Sequence, residues 1–261
     1  MHKIVGGREA ALGQFPWMVR LGYQNNPFKS ELKFLCGGSL ISRYYVLTAA
    51  HCVDKWYTFI LAVARLGEHL VYRDPDCEGK VCAPRVQDIP FSRFQKYEMY
   101  NYDGNSEGDI TLLQLRTPAR LNDFVKPICL PRGDIMENQQ NYLGAGSDVI
   151  VAGWGATDSS NRQQARKLQF TNIPVVDLDE CRAVYTREVD ESQICAGGTD
   201  GRDSCSGDSG GPIVQLISLN GTLQYFVLGV VSYGKSLCGS TVAVYTNVAF
   251  FMEWILDNIY K

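Results

Sequence analysis

The stretch Asp203-Ser204-Cys205-Ser206-Gly207-Asp208-Ser209-Gly210-Gly211-Pro212 places a hydroxyl among residues that build neither helix nor strand. A serine is a poor nucleophile at neutral pH. It needs a base beside it and donors for the oxyanion it generates. Gly207, Gly210 and Gly211 carry no Cβ and permit tight backbone, so the N–H groups of Gly207 and Ser209 can point together at one carbonyl oxygen. Alone, the stretch reads equally well as a Gly-Ser surface turn. Two distant stretches supply what it lacks. Thr48-Ala49-Ala50-His51-Cys52 offers an imidazole, and Gly108-Asp109-Ile110-Thr111-Leu112-Leu113 offers a carboxylate at the opening of an apolar strand. A single histidine is usually structural, and a single aspartate before a strand usually caps it or faces water. Together with Ser209 they could attack a carbonyl, the imidazole carrying the proton.

Such residues have to be positioned by elements, and the hydrophobic pattern supplies mostly strands. Residues 15–19 and 34–42 read as strands, 44–48 brings the next strand up to His51, and 59–66 leads into Gly67-Glu68. From there to Pro84 the chain is acidic and turn-rich and is expected to be a loop, as is the polar stretch from 132 to 146. Residues 148–152 read as a buried strand, 177–185 as a short helix, 193–196 as a strand, and 212–217 and 225–234 as long apolar strands. Met252, Ile255, Leu256 and Ile259 recur at helical spacing, so a terminal amphipathic helix is expected. The sum is about a dozen strands in an all-β chain.

Length and composition bound the partners. At 261 residues, 45% hydrophobic and 20% charged with a net charge of −3, the chain is an ordinary globular one and has no basic stripe for nucleic acid. No apolar run approaches the roughly 20 residues that span a bilayer, so a membrane anchor is not expected. Nine cysteines without CxxC pairs and without ligand-spaced histidines read as disulfides, which imply an oxidising compartment. Met1-His2-Lys3 carries no apolar signal segment and reads as a residual pro-segment or an artificial start.

The order His51, Asp109, Ser209 within TAAHC, DITLL and GDSGGP resembles the trypsin and chymotrypsin family of serine endopeptidases over nearly the whole chain from Ile4. The resemblance implies that Ser209 attacks, His51 takes and returns the proton, Asp109 orients the imidazole, and Gly207 and Ser209 form the oxyanion hole. It also implies two six-stranded antiparallel barrels dividing near residue 125, a C-terminal helix, and a protease domain over 4–261. The expected disulfides are Cys36–Cys52, Cys181–Cys195 and Cys205–Cys238, with Cys77–Cys82 closing an extra loop; composition alone would leave roughly a hundred pairings open. That extra loop is similar to the insertion of arthropod clip-domain proteases of the prophenoloxidase-activating and Toll-pathway kind. Cys129 is left over, and in such zymogens its partner lies in the pro-region; the alternative is a buried free thiol. No cofactor is required. A structural Ca2+ at Glu68, Asp74, Asp76 and Glu78 is weighed equally against a solvated acidic loop. Asn220-Gly221-Thr222 is a glycosylation sequon in a turn.

By the same resemblance Asp203 lies at the base of the specificity pocket, where a carboxylate selects a basic side chain. Ser204 would accept a further hydrogen bond from a lysine, and Ser232-Tyr233-Gly234 would form one wall. Three departures stand out: Tyr233 replaces the usual tryptophan, the loop from Cys238 to Val244 is about two residues short, and Ala243 replaces the usual glycine. An added methyl in a tight pocket costs about 1–3 kcal/mol, enough to weaken long basic side chains selectively. Lys3-Ile4 matches the junction at which a zymogen is cut, the new amino group pairing with Asp208. The expected protein is a secreted endopeptidase of an innate-immune or developmental cascade. It would cleave proteins after arginine or lysine, answer to an upstream protease and to protein inhibitors, and join a missing pro-region through Cys129. The rivals are a non-catalytic scaffold and a digestive trypsin.

Overall fold

A computed structural model describes residues 7–25, 31–54, 59–100, 107–156, 163–186, 188–198, 204–235 and 238–259. A short strand β1 (Arg8–Glu9) precedes β2 (Met18–Gln24), β3 (Lys33–Leu40), β4 (Tyr45–Thr48) and β5 (Ile60–Leu66). After these come a two-strand ribbon, β6 (Cys77–Glu78) and β7 (Val81–Cys82), and then β8 (Gln87–Lys96) and β9 (Thr111–Leu115). Six of these close a barrel in the order β2-β3-β4-β9-β8-β5. Its interior is filled by side chains that alternate along the strands, Val19, Leu21 and Tyr23 from β2 and Ile89 and Phe91 from β8.

The second half contains β10 (Asp148–Gly153), β11 (Gln169–Val176), β12 (Gln193–Ala196), β13 (Pro212–Leu219), β14 (Thr222–Tyr233) and β15 (Ala243–Asn247). Its sheet runs β11-β10-β13-β14-β15-β12, and the β11–β12 pairing closes the ring, with β1 added to the outside of β11. This is the expected pair of six-stranded barrels. One core cluster runs through both, and Phe15 and Trp17 pack edge-on or tilted against Phe170 and Tyr225 with ring centroids 5.1 Å apart in each pair. The C-terminal helix, which we label α4 (Met252–Ile259), buries Met252 and Ile255. Phe251, just before it, meets Tyr97 edge-on at 4.9 Å.

Three details differ from the sequence reading. The stretch expected as loop beyond Pro131 contains two single turns of helix, α1 (Asp134–Glu137) and α2 (Gln140–Leu143), seated by the buried Ile135. Strands β8 and β11 carry Pro90 and Pro174, which mask the strand signal because proline withholds a ladder donor. The acidic loop contains the β6–β7 ribbon, whose paired Cys77 and Cys82 are bridged. The remaining helix, α3 (Leu178–Val184), is capped by the Asp177 carboxylate, which accepts from the Asp179 N–H at 2.9 Å.

Candidate active site

His51 sits in the 3-10 turn Ala50–Cys52 that follows β4, and Asp109 lies two residues ahead of β9. Because β4 and β9 are antiparallel neighbours with Thr48 opposite Thr111, the two residues leave the same end of the barrel side by side. The His51 backbone N–H donates to Asp109 Oδ1 at 2.9 Å and its ring Nδ1 to Oδ2 at 2.8 Å. Nδ1 is thereby committed, and Nε2 is the ring atom left to exchange a proton. Two donors from the second barrel hold Asp109, one at its carboxylate and one at its backbone carbonyl. Ser232 Oγ donates to Oδ2 at 2.5 Å and Thr246 Oγ1 to the Asp109 carbonyl at 2.8 Å. The register of β14 against β15 shifts between Val231 and Tyr233, so Ser232 is the bulged residue aimed at Asp109. The sequence assigned Ser232 to a pocket wall only. A residue 123 positions from Asp109 leaves no local signal of this second contact.

Burial by itself would lower the His51 pKa, but the charge of Asp109 and its hydrogen bond outweigh it and hold the imidazole above its ordinary 6.5. Burial would likewise raise the Asp109 pKa. The attraction of His51 and the donors from His51 and Ser232 bring it below the usual carboxylate value.

Ser209 is half-buried on a loop tied to both barrels. Its carbonyl accepts from Gly37 N of β3 at 2.7 Å, while Gly210 N donates to Val231 O of β14 at 2.9 Å. Gly210 adopts φ +75°, and a Cβ there would collide with Thr48 Oγ1, so only glycine lets the loop approach β4 this closely. Gly207, with φ +102°, lines the groove that opens beside Phe34. Asp208 turns away from it, fully buried. Its Oδ1 accepts from Gly155 N at 2.7 Å and its Oδ2 from Cys205 N at 3.0 Å. No cation faces this carboxylate among the described residues, and burial pushes its pKa from 3.8 to about 6.

Beside Ser209 opens a cavity of about 190 Å3, walled by Ser204, Ser232, Tyr233, Gly234 and Ala243 and tied at its rim by Cys205–Cys238. Ser204 Oγ lies 3.2 Å from the buried Tyr245 hydroxyl, and the Tyr233 ring packs edge-on against Tyr185 at 5.5 Å. Ala243 is 3% exposed, and its methyl would be in contact, at 3.5 Å, with any side chain at Gly234. Asp203, Lys3 and Ile4 lie outside the described residues.

Elsewhere, Cys36–Cys52, Cys77–Cys82, Cys181–Cys195 and Cys205–Cys238 are bridged, and Cys129 is free and partly exposed. Asn220 adopts φ +50° at the tip of the β13–β14 hairpin, an exposed turn. The four loop carboxylates do not converge. Glu68 Oε2 is 3.4 Å from both Arg20 and Arg65. Asp74 accepts from Val86 N at 3.1 Å, and Asp76 from His69 N and Leu70 N at 2.9 and 3.1 Å. Glu78 is paired with Lys167 Nζ at 2.5 Å. Glu68 and Glu78 thus face the chain's own cations, whereas Asp74 and Asp76 meet backbone N–H groups, and the buried Asp76 Oδ1 has no hydrogen-bond partner among the described residues.

A histidine tied to a buried carboxylate at the end of one barrel, with a serine on a glycine-rich loop hydrogen-bonded to strands of both barrels, defines a serine endopeptidase of the two-barrel class. The family model described as Trypsin matches residues 4–255, and the chain belongs to that family. Among similar proteins, phenoloxidase-activating factor 3 of Holotrichia diomphalia is 38% identical over 98% of this chain and 72% of its own length. CLIP domain-containing serine protease HP8 of Bombyx mori is 42% identical over 98% of this chain and 69% of its own, and the Spaetzle-processing enzyme of Drosophila melanogaster is 39% identical over 98% and 66%. The protein is a trypsin-like serine endopeptidase. Among the described residues no helix is long and apolar enough to cross a membrane.

Proposed function

We propose that this protease cleaves protein substrates after arginine or lysine, is made as a zymogen cut at Lys3-Ile4, and acts in an extracellular immune or developmental cascade. The observation that carries the catalytic part is the buried Asp109–His51 pair, which commits Nδ1 to the carboxylate while Nε2 lies 3.7 Å from Cys52 Sγ. His51 Nε2 takes the Ser209 Oγ proton as Oγ adds to the scissile carbonyl. The oxyanion forms against the Gly207 and Ser209 N–H groups, and the imidazolium returns its proton to the leaving amine. The acyl group remains as an ester on Ser209 until water, deprotonated by His51, releases it.

Basic specificity rests on Asp203 by its place in the signature and on the polar wall that Ser204 and Ser232 give the cavity. The four disulfides support an oxidising compartment. The free Cys129, together with relatives named as CLIP-domain, phenoloxidase-activating and Spaetzle-processing proteins, supports a pro-region bridged through that residue and a cascade setting. An open cavity beside Ser209 argues against a non-catalytic scaffold.

One experiment tests the reading. After cleavage by a trypsin-like activator, with Ile4 confirmed by N-terminal sequencing, the wild-type enzyme hydrolyses arginyl arylamides far faster than phenylalanyl ones, and Ser209→Ala hydrolyses neither while melting as the wild type does. Near-normal turnover by the alanine variant would overturn the catalytic assignment, and equal rates on the two substrates would overturn the assignment of Asp203.

A further inference from the structure

Two cavities flank Ser209. The one already described lies on the acyl side. The other is a groove of about 620 Å3 that begins at Ser206 and Gly207 and runs outward over Phe34; on the hydrolase reading it is the side by which the leaving peptide departs. Its lining contains three cationic side chains, Arg20, Lys33 and Arg65, and no carboxylate among the described residues.

The cations are not equivalent. The guanidinium groups of Arg20 and Arg65 lie 4.2 and 4.6 Å from the centroid of the Phe34 ring. Their charge is spoken for: Arg20 by Glu68 at 3.4 Å, Arg65 by the same Glu68 at 3.4 Å and by Asp88 through two 2.8 Å hydrogen bonds. Two guanidinium groups and two carboxylates leave no surplus. Lys33 is different. It is exposed at the start of β3, its ammonium sits 4.8 Å from the Phe59 ring centroid, and no carboxylate pairs with it among the described residues. The groove therefore offers a rigid aromatic floor braced by two neutralised arginines, with one uncompensated cation at its edge. Gln164 Nε2, donating to Phe34 O at 3.1 Å, closes the side opposite and stands against Gly207.

We infer that the leaving-group side of the cleft is a selective subsite that favours substrates with an acidic residue at the second or third position after the scissile bond and disfavours a basic one there. Lys33 is the residue that sets this preference. A carboxylate brought to Lys33 gains a charge-assisted contact, whereas a basic side chain meets a like charge on a lining that, among the described residues, offers it no acid. The inference rests on the hydrolase reading above, since it assigns a direction to the cleft.

The test uses peptides identical but for Glu, Ala or Lys at both of those positions, each with arginine before the scissile bond. With activated wild-type enzyme at low ionic strength, kcat/KM falls in the order Glu, Ala, Lys, with roughly threefold to tenfold between the ends, and added salt compresses the ratio. Lys33→Glu reverses the order and Lys33→Ala flattens it. Affinities of the same peptides for Ser209→Ala, read by fluorescence anisotropy, follow the same order. Indifference of the wild type to these positions, or an unchanged order in Lys33→Glu, would overturn the subsite. Peptides that bind with the expected order but are never cut would sink the hydrolase reading and leave the subsite standing.

Discussion

His51 illustrates how a side chain receives its chemistry from neighbours. Desolvation favours the neutral ring, and the Asp109 carboxylate, stripped of water and held by Ser232 and the His51 backbone, more than reverses that preference. The folded-state pKa of His51 therefore lies above 6.5, and a general base with that value is lost as pH falls through it. Asp109→Asn removes the charge and turns one of the two acceptor oxygens into a donor, so burial outweighs what is left and the His51 midpoint moves downward, below the ordinary value. Ring-proton NMR titration in the Ser209→Ala background reads this without relying on activity. An unmoved midpoint would show that Asp109 is not the group that sets it.

At the scale of elements, the acidic loop between β5 and β8 is fastened to both ends of the molecule. Glu78 accepts from Leu12 N at 3.0 Å and pairs with Lys167, while Val71 N donates to Arg166 O at 2.9 Å. The Lys167 hydrogen bond is the largest cause that takes the Glu78 pKa from 4.5 down to about 2. A depressed acid contributes stability that is fully present above 4.5 and is lost as pH falls toward 2. The Glu78 side chain is 36% exposed, so solvent screening reduces the nominal gain to about 1 kcal/mol. Melting curves between pH 5 and 2 should accordingly show a shallower acid decline in Glu78→Gln than in the wild type. Because Arg20, Arg65 and Lys167 already neutralise Glu68 and Glu78, millimolar calcium should leave the wild-type Tm where it is; a rise on adding calcium would return the loop to the metal-binding reading.

For the molecule as a whole, Asp208 is the group on which the proposed cut before Ile4 would act. Buried with two backbone donors and no described cation, it has a folded pKa of about 6 against 3.8. A raised acid is protonated in the folded protein while still ionised in the unfolded chain, so the uncut protein loses stability as pH rises from about 4 to 6, by about 3 kcal/mol. Asp208→Asn should lack this loss. After the cut before Ile4, an ammonium paired with the carboxylate should abolish it in the wild type, and with it the preference for the inactive arrangement. Denaturant unfolding of cut and uncut protein at pH 4 and pH 7 distinguishes these cases. Identical pH dependence in uncut wild type and Asp208→Asn would exclude Asp208 as the source.

Much of the chemistry is local and was therefore legible along the chain. Ser209 sits among Gly207, Gly210 and Gly211, His51 follows strand β4 and Asp109 precedes β9, so each lies in its own extended signature. Alternation of apolar residues likewise marks most strands, failing where Pro90 and Pro174 interrupt β8 and β11. What the tertiary structure alone decided are the contacts between groups far apart in sequence. Ser232 reaches Asp109 only because β14 bulges between Val231 and Tyr233. Glu68, which meets Arg65 three residues before it, is matched to Arg20 only because β2 and β5 are adjacent in the first barrel, and among the described residues no acid lines the groove beside Lys33. Charges act through space and not along the chain, so which of them cancel is settled only once the barrels have closed.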